Sequence, residues 1–224
     1  MKIITIIGSP HKARGATARL ADLVGEGAEG EGACVETIFL PGKRVNPCNA
    51  CDTCHKVGKC PQKDDFEEIR QKILDADGLI LGSPNYIYSV SAQLKAFIDR
   101  CCGVIHCVGF EGKYGASVVT SGGGDEEPIV NYMNHFLITT GITPVGSVWA
   151  TMGLLPDGRF TEEIVARARE LGRILVHSWK SKAVLPEVER VKDNFKERMK
   201  YLMVYRKQEW PYEYAFWQKH RGLT

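Results

Sequence analysis

Short apolar runs alternate along this chain with stretches whose apolar residues recur at helical spacing. Lys2–Ile7 is largely apolar and ends at Gly8-Ser9-Pro10, the pattern of a strand buried on both faces. Ala16–Ala28 then sets Leu20, Leu23 and Val24 on one helical face, with Ser9 or Thr17 available as its cap. Val35–Leu40 reads as a second strand. After a cysteine-rich loop, Asp64 and Asp65 open a helix carrying Phe66, Ile69, Ile73 and Leu74; acids in a first turn suit the helix dipole. Gly78–Leu81 is a third strand, closed by Gly82-Ser83-Pro84. Ser91–Cys101 follows as an amphipathic helix through Leu94, Phe97, Ile98 and Cys101. Tyr114–Thr120 is a fourth strand and Pro128–Thr140 a helix. Thr143–Ala150 is a fifth strand, and Thr161–Trp179 a helix with Ile164, Ala168, Leu171, Leu175 and Val176 inward.

Five strand–helix units in series predict an α/β domain with a parallel sheet covered by helices on both faces. We place that domain at residues 1–185 and a C-terminal extension at 186–224. The extension is charged first and then aromatic, with Tyr201, Tyr205, Trp210, Tyr212, Tyr214, Phe216 and Trp217. Aromatic residues at such density favour an interface, so the extension is expected either to contact a second subunit, over the site, or to pack across its own domain.

Composition narrows the function classes. The 224 residues carry a net charge of +2, and 44% are apolar, which fits a globular protein and gives no electrostatic footprint for nucleic acid. Charges interrupt every hydrophobic segment, so no membrane span is expected. The apolar run at the N-terminus is too short for an export leader, and a cytoplasmic location is expected. In that compartment the eight cysteines read first as metal or redox ligands and only then as disulfides.

Three strand ends carry loop chemistry, and open α/β sheets bind ligands beyond such ends. The first loop, GSPHKARGAT, offers the Ser9 and Thr17 hydroxyls, a helix N-terminus, and positive charge from His11, Lys12 and Arg14; an anion suits it. It is neither a Walker A loop nor GxGxxG. The second, GSPNYIYSVSAQLKAFIDR, pairs Tyr86 and Tyr88 with exposed backbone, which suits a flat hydrogen-bonding ring. The third, SGGGDEEP, lets glycine backbone lie against a ligand face. Together, GSP-x(6)-T, GSP-x-Y-x(4)-S-x-Q-x-K-x-F-I-D-R and the glycine turn resemble the flavodoxin-like NAD(P)H-dependent FMN reductase superfamily over roughly residues 1–180. The resemblance implies strand order 2-1-3-4-5 and bound FMN. By position it implies that Ser9, His11, Arg14, Ala16 and Thr17 hold the phosphate. It implies further that Pro84, Asn85, Tyr86 and Ile87 flank the isoalloxazine, and that Ser121, Gly122, Gly123 and Gly124 close its other side. Ala16 departs from the asparagine common there, which leaves one contact to Arg14. No acid–base residue is expected, because the flavin carries the chemistry.

Between the second strand and the next helix, Cys48, Cys51, Cys54 and Cys60 form C-x2-C-x2-C-x5-C, with Pro61 after the last. Structural zinc usually uses two separated pairs, whereas compact triplets wrap inorganic clusters, and Cys60 completes a four-thiolate set. Zinc or free thiols remain alternatives. Combined with the flavin loops, this spacing resembles the iron–sulfur flavoproteins of the same superfamily. That resemblance implies a [4Fe–4S] cluster, a homodimer or homotetramer, and electrons passing from a ferredoxin-like donor through the cluster to FMN and a small acceptor. From its place after the second strand, the loop is expected at the flavin edge. His55 is expected at the surface, and Cys34, Cys101, Cys102 and Cys107 as ordinary free thiols. The alternatives are an NAD(P)H-dependent FMN or quinone reductase without a cluster, and a zinc-stabilised flavin-binding protein without turnover.

Overall fold

A computed structural model of the chain describes residues 1–223; Thr224, the last residue of the expected extension, lies outside the described residues. The apolar runs become strands β1 (Lys2–Ile7), β2 (Cys34–Phe39), β3 (Gly78–Pro84), β4 (Tyr114–Ser121) and β5 (Thr143–Thr151). All pair in parallel in the order β2-β1-β3-β4-β5. That is the expected flavodoxin-like order, and β1 and β3 are buried nearly throughout because helices cover both faces. The helices are α1 (Ala16–Glu29), α2 (Thr53–Val57), α3 (Phe66–Leu74), α4 (Ala92–Arg100), α5 (Cys102–His106), α6 (Glu126–Thr140), α7 (Glu162–Ser181), α8 (Pro186–Tyr205) and α9 (Pro211–Arg221).

Two apolar layers hold the sheet. One packs Ile4, Ile6, Leu79 and Leu81 against α3, α4 and α6. The other packs Ile3, Ile7, Ile80 and Val148 against α1 and α7. Those two helices touch through glycine: a Cβ on Gly27 would lie 1.9 Å from the Arg169 carbonyl oxygen. Each fully buried aliphatic side chain in these layers contributes roughly 1.5–3 kcal/mol.

Boundaries move where tertiary pairing decides them. β3 runs on through Pro84 because Pro84 pairs with Thr120 in register. α6 begins at Glu126, two residues before the expected start at Pro128, since proline is compatible with a first helical turn. The extension folds into α8 and α9, which form a third apolar cluster with the main domain through Val108, Phe195, Met199, Met203 and Trp217. The packing of α9 is therefore on its own chain, while Tyr201 and Tyr205 of α8 stay exposed.

Candidate functional site

The carboxyl ends of β1, β3 and β4 meet at one sheet edge. After β1, Gly8 sits where a Cβ would come within 2.5 Å of Ser91 Oγ, and Ser91 donates that hydroxyl to the Gly8 carbonyl at 2.8 Å. Ser9 is buried, while His11, Lys12 and Arg14 are exposed. Thr17 is buried, and its hydroxyl shares a hydrogen bond of 2.6 Å with Thr120 Oγ1 at the end of β4. Neither Ser9 nor Thr17 caps α1; the cap position is Gly15 in extended conformation. Thr17 lies inside the first turn and is turned toward β4, so the expected cap is not made. The first-turn amides of α1 keep no acceptor among the described residues, which leaves a positive helix end beside three basic side chains.

After β3, Asn85 is fixed by its N–H on the Thr120 carbonyl at 2.7 Å and its Nδ2 on the Gly124 carbonyl at 3.0 Å. Its Oδ1 is buried and has no partner among the described residues. An unpaired buried acceptor calls for a donor. Tyr86 and Ser89 then exchange backbone hydrogen bonds of 2.9 and 3.2 Å around Ile87 and Tyr88. Both central residues are left-handed, at φ +50° and +61°, and 91% and 77% exposed. A β-branched residue in that region costs of order 1–3 kcal/mol, so the turn holds stored strain at the mouth of the edge.

After β4, Gly124 donates its N–H to Ser121 Oγ at 2.8 Å, and Ser121 donates its hydroxyl to Glu126 Oε1. Thr151 donates to the same oxygen at 2.6 Å. Burial alone would push the Glu126 carboxyl up, but these hydroxyls outweigh it and hold it below the usual carboxylate range. Built Cβ atoms on Gly122, Gly123 and Gly124 would meet nothing within 4 Å, so this turn borders open space. The sequence thus located the three loops. It missed the buried girders Ser91, Thr120 and Glu126 and the half-buried Thr151. Only the acid at the start of α6 left a signal for them, in the helix dipole. A glycine wall, a free acceptor and an anion-ready helix end on one edge fit the ring and phosphate of FMN.

The cysteine loop lies elsewhere. Cys48, Cys51, Cys54 and Cys60 line one cavity of about 310 Å³ together with Asp99, Arg100 and Cys102. Left-handed residues at Ala50, Asp52 and Gly58 wind the loop round it. The Ala50 N–H donates to Cys48 Sγ at 3.4 Å, and the hydroxyl and amide of Thr53 lower the Cys51 thiol. Arg100 forms the wall, fully buried, with Nη1 and Nη2 on Asp64 at 2.7 and 3.1 Å. Burial alone would raise the Asp64 carboxyl, but the bonds from Arg100 and the Asn46 amide hold it down. Four thiols, a cation and loop amides around one space fit a cluster with net negative charge. The cavity sits at the C-terminal end of α4, whereas Ser91 at its N-terminal end touches the flavin loop. The two are separated by a helix of about 14 Å at ~1.5 Å per residue. The loop is therefore not at the flavin edge of its own chain, because α3 and α4 carry it outward.

On the wall of the same cavity, His55 is buried, contrary to expectation. Its Nδ1 donates to Glu213 Oε1 at 2.6 Å, and His106 Nδ1 donates to Oε2 at 2.9 Å. Both Nε2 atoms face Cys102 Sγ, at 3.9 and 3.8 Å. Burial alone would lower the His55 imidazole, but bonds to Cys102, Cys54 and Glu213 raise it to about 12. Bonds from His106 and His55 lower the Cys102 thiol to about 6, so Cys102 is no ordinary buried thiol. Cys107 does fit that expectation, its thiol pushed by burial up to about 12, as does buried Cys101; Cys34 is exposed.

The model of the NADPH-dependent FMN reductase family matches residues 1–154. An iron-sulfur flavoprotein of Archaeoglobus fulgidus is 37% identical over 81% of this chain and 82% of its own length. Among solved structures, a flavone reductase superposes with TM-score 0.61 at 20% identity, covering 80% of this chain; the chain spans only 63% of that reductase. A flavodoxin from the domain Archaea superposes with TM-score 0.54 at 17% identity, covering 80% of this chain and 99% of its own. The structural likenesses bear on fold alone.

Proposed function

The chain belongs to the NADPH-dependent FMN reductase family, in its iron–sulfur flavoprotein branch, and on that premise we propose how its FMN-dependent oxidoreductase activity is organised. FMN, when bound, exchanges electrons singly or in pairs. The α1 amides with His11 and Arg14 hold its phosphate, close to Ser9, Ala16 and Thr17. The Asn85 Oδ1 accepts from its ring system, Pro84, Tyr86 and Ile87 flank it, and Ser121 to Gly124 lie along its other side. Glu126 keeps that glycine turn in place through Ser121.

Cys48, Cys51, Cys54 and Cys60 are our ligands for a [4Fe–4S] cluster, which supplies one-electron exchange when bound. The observation that carries this reading is the single cavity lined by all four thiols. Arg100 and the loop amides offset the cluster charge. Because the cavity and the flavin edge lie at opposite ends of α4, we assign electron transfer between them to neighbouring subunits of a homodimer or homotetramer. The exposed Ile87-Tyr88 turn and the Tyr201 and Tyr205 face of α8 are our contact surfaces. A ferredoxin-like protein is our donor, and the acceptor a small molecule. All eight cysteines are free, which supports a cytoplasmic location. Among the described residues, no helix is long and apolar enough to cross a membrane.

A second reading, direct reduction by NAD(P)H, is favoured by the open space beside the glycine turn, where a nicotinamide can stack. One measurement separates the two. The protein is purified anaerobically, its visible spectrum recorded, and iron, sulfide and zinc assayed. Flavin bands over broad absorbance with about four irons per chain support the cluster. Flavin without iron after reconstitution overturns it in favour of the nicotinamide-dependent reductase.

A further inference from the structure

We propose that His55, Cys102 and His106 form a second metal centre, which binds one divalent transition ion of the zinc class through Nε2, Sγ and Nε2. The three donor atoms lie within 4.8 Å of one another. Their S···N separations of 3.8 and 3.9 Å are a few tenths wider than the edge of about 3.5 Å that zinc bonds of ~2.05 and ~2.3 Å define, and the two imidazole nitrogens, within 4.8 Å of each other, draw together by rotation of the rings when an ion binds.

The surroundings are those of a ligand set. Glu213 is completely buried and accepts from both Nδ1 atoms, which orients each ring so that Nε2, once it gives up its proton, presents its lone pair toward the sulfur. The imidazoles stack at 4.8 Å and 22°, and Trp210 covers both at 4.7 and 4.8 Å. A divalent ion there also balances the completely buried Glu213 carboxylate. Binding releases the imidazole protons, and the Cys102 proton where the thiol is protonated, to solvent. Two imidazoles with one thiolate match borderline cations rather than magnesium or calcium.

Three elements converge there: α2 of the cysteine loop, α5, and α9 through Glu213. The ion therefore clamps the C-terminal helix onto the loop that carries the four thiols. Two of its ligands, His55 and Cys102, line the same cavity as the four thiols, so the test removes those thiols.

The full-length flavin-loaded protein is made with Cys48, Cys51, Cys54 and Cys60 all changed to Ser. It is titrated with zinc against a chelator, and with cobalt as a spectroscopic stand-in. One zinc per chain and a thiolate-to-cobalt absorption band are expected. Adding Cys102→Ser abolishes the band, His106→Gln weakens zinc at least 100-fold, and Glu213→Gln weakens it 10–100-fold. No zinc in the folded fourfold variant, or zinc indifferent to Cys102 and His106, overturns the centre. Should the fourfold variant misfold, zinc-edge X-ray absorption on the unsubstituted chain, loaded stepwise up to two zincs, decides. A shell that includes one sulfur and two nitrogens supports the centre; sulfur-only shells at every loading overturn it.

Discussion

The flavin edge and the cysteine cavity are built by opposite means. The edge is made of contiguous loops whose backbone does the work: glycines leave room, amides stay free, and one strained turn projects outward. The cavity region is made of side chains drawn from distant elements and held by buried charge. A backbone site tolerates changes to its surface but not to its space. A site of buried ions tolerates little change in its partners, because an uncompensated charge inside a protein is costly.

The largest effect should follow from breaking the cavity wall. Arg100→Met leaves Asp64 buried without its partner and is expected to destabilise the fold by about 3–5 kcal/mol in urea titrations. Adding Asp64→Asn should restore part of that loss. If Arg100→Met alone is nearly neutral, the cavity is not the charge-built region described. At the flavin edge, Gly123→Val should do the reverse. No chain atom lies near its Cβ, so the midpoint of unfolding should hold, while FMN affinity drops about 10–100-fold through overpacking of roughly 1–3 kcal/mol. A variant that loses stability and keeps FMN would reverse the contrast.

The pH response sharpens it further. The folded Glu126 carboxyl lies below its usual range, so its contribution is complete above about 4.3, the unfolded value, and is lost as pH falls through the folded one. FMN fluorescence should therefore rise on acidification below that range. Glu126→Gln should remove this limb and weaken FMN by about 1–2 kcal/mol at neutral pH, as expected for lost charge-assisted bonds. An unchanged acid limb in the variant would show that Glu126 does not hold the turn. The smallest effect belongs to the strained turn: Ile87→Gly should relieve left-handed strain and raise stability by up to about 1 kcal/mol by thermal melts. A loss instead would mean that the Ile87 side chain is held by contacts.

The flavin edge was legible because its signals are local. A GSP turn after an apolar run, or three glycines after another, dictates backbone shape within a few residues. The hydroxyl and carboxylate girders behind it were not legible, since Ser91, Thr120 and Thr151 look like ordinary polar residues until strands align them. The cysteines announced themselves by spacing, but their distance from the flavin edge depended on how α3 and α4 pack. His55 looked like a surface residue because its partner stands 158 positions away.

By itself, the sequence determined the βα alternation, the sheet order through its family pattern, three loops that share one sheet edge and the grouping of four thiols. Each follows from short-range periodicity or backbone chemistry. Only the tertiary structure decided that the extension folds back through α9, that Glu213 turns two imidazoles onto Cys102, and that cavity and flavin edge occupy opposite ends of one helix. Those facts depend on which side chains become buried together. Burial is a property of the packed whole, because the cost of an unpaired charge appears only once water is excluded.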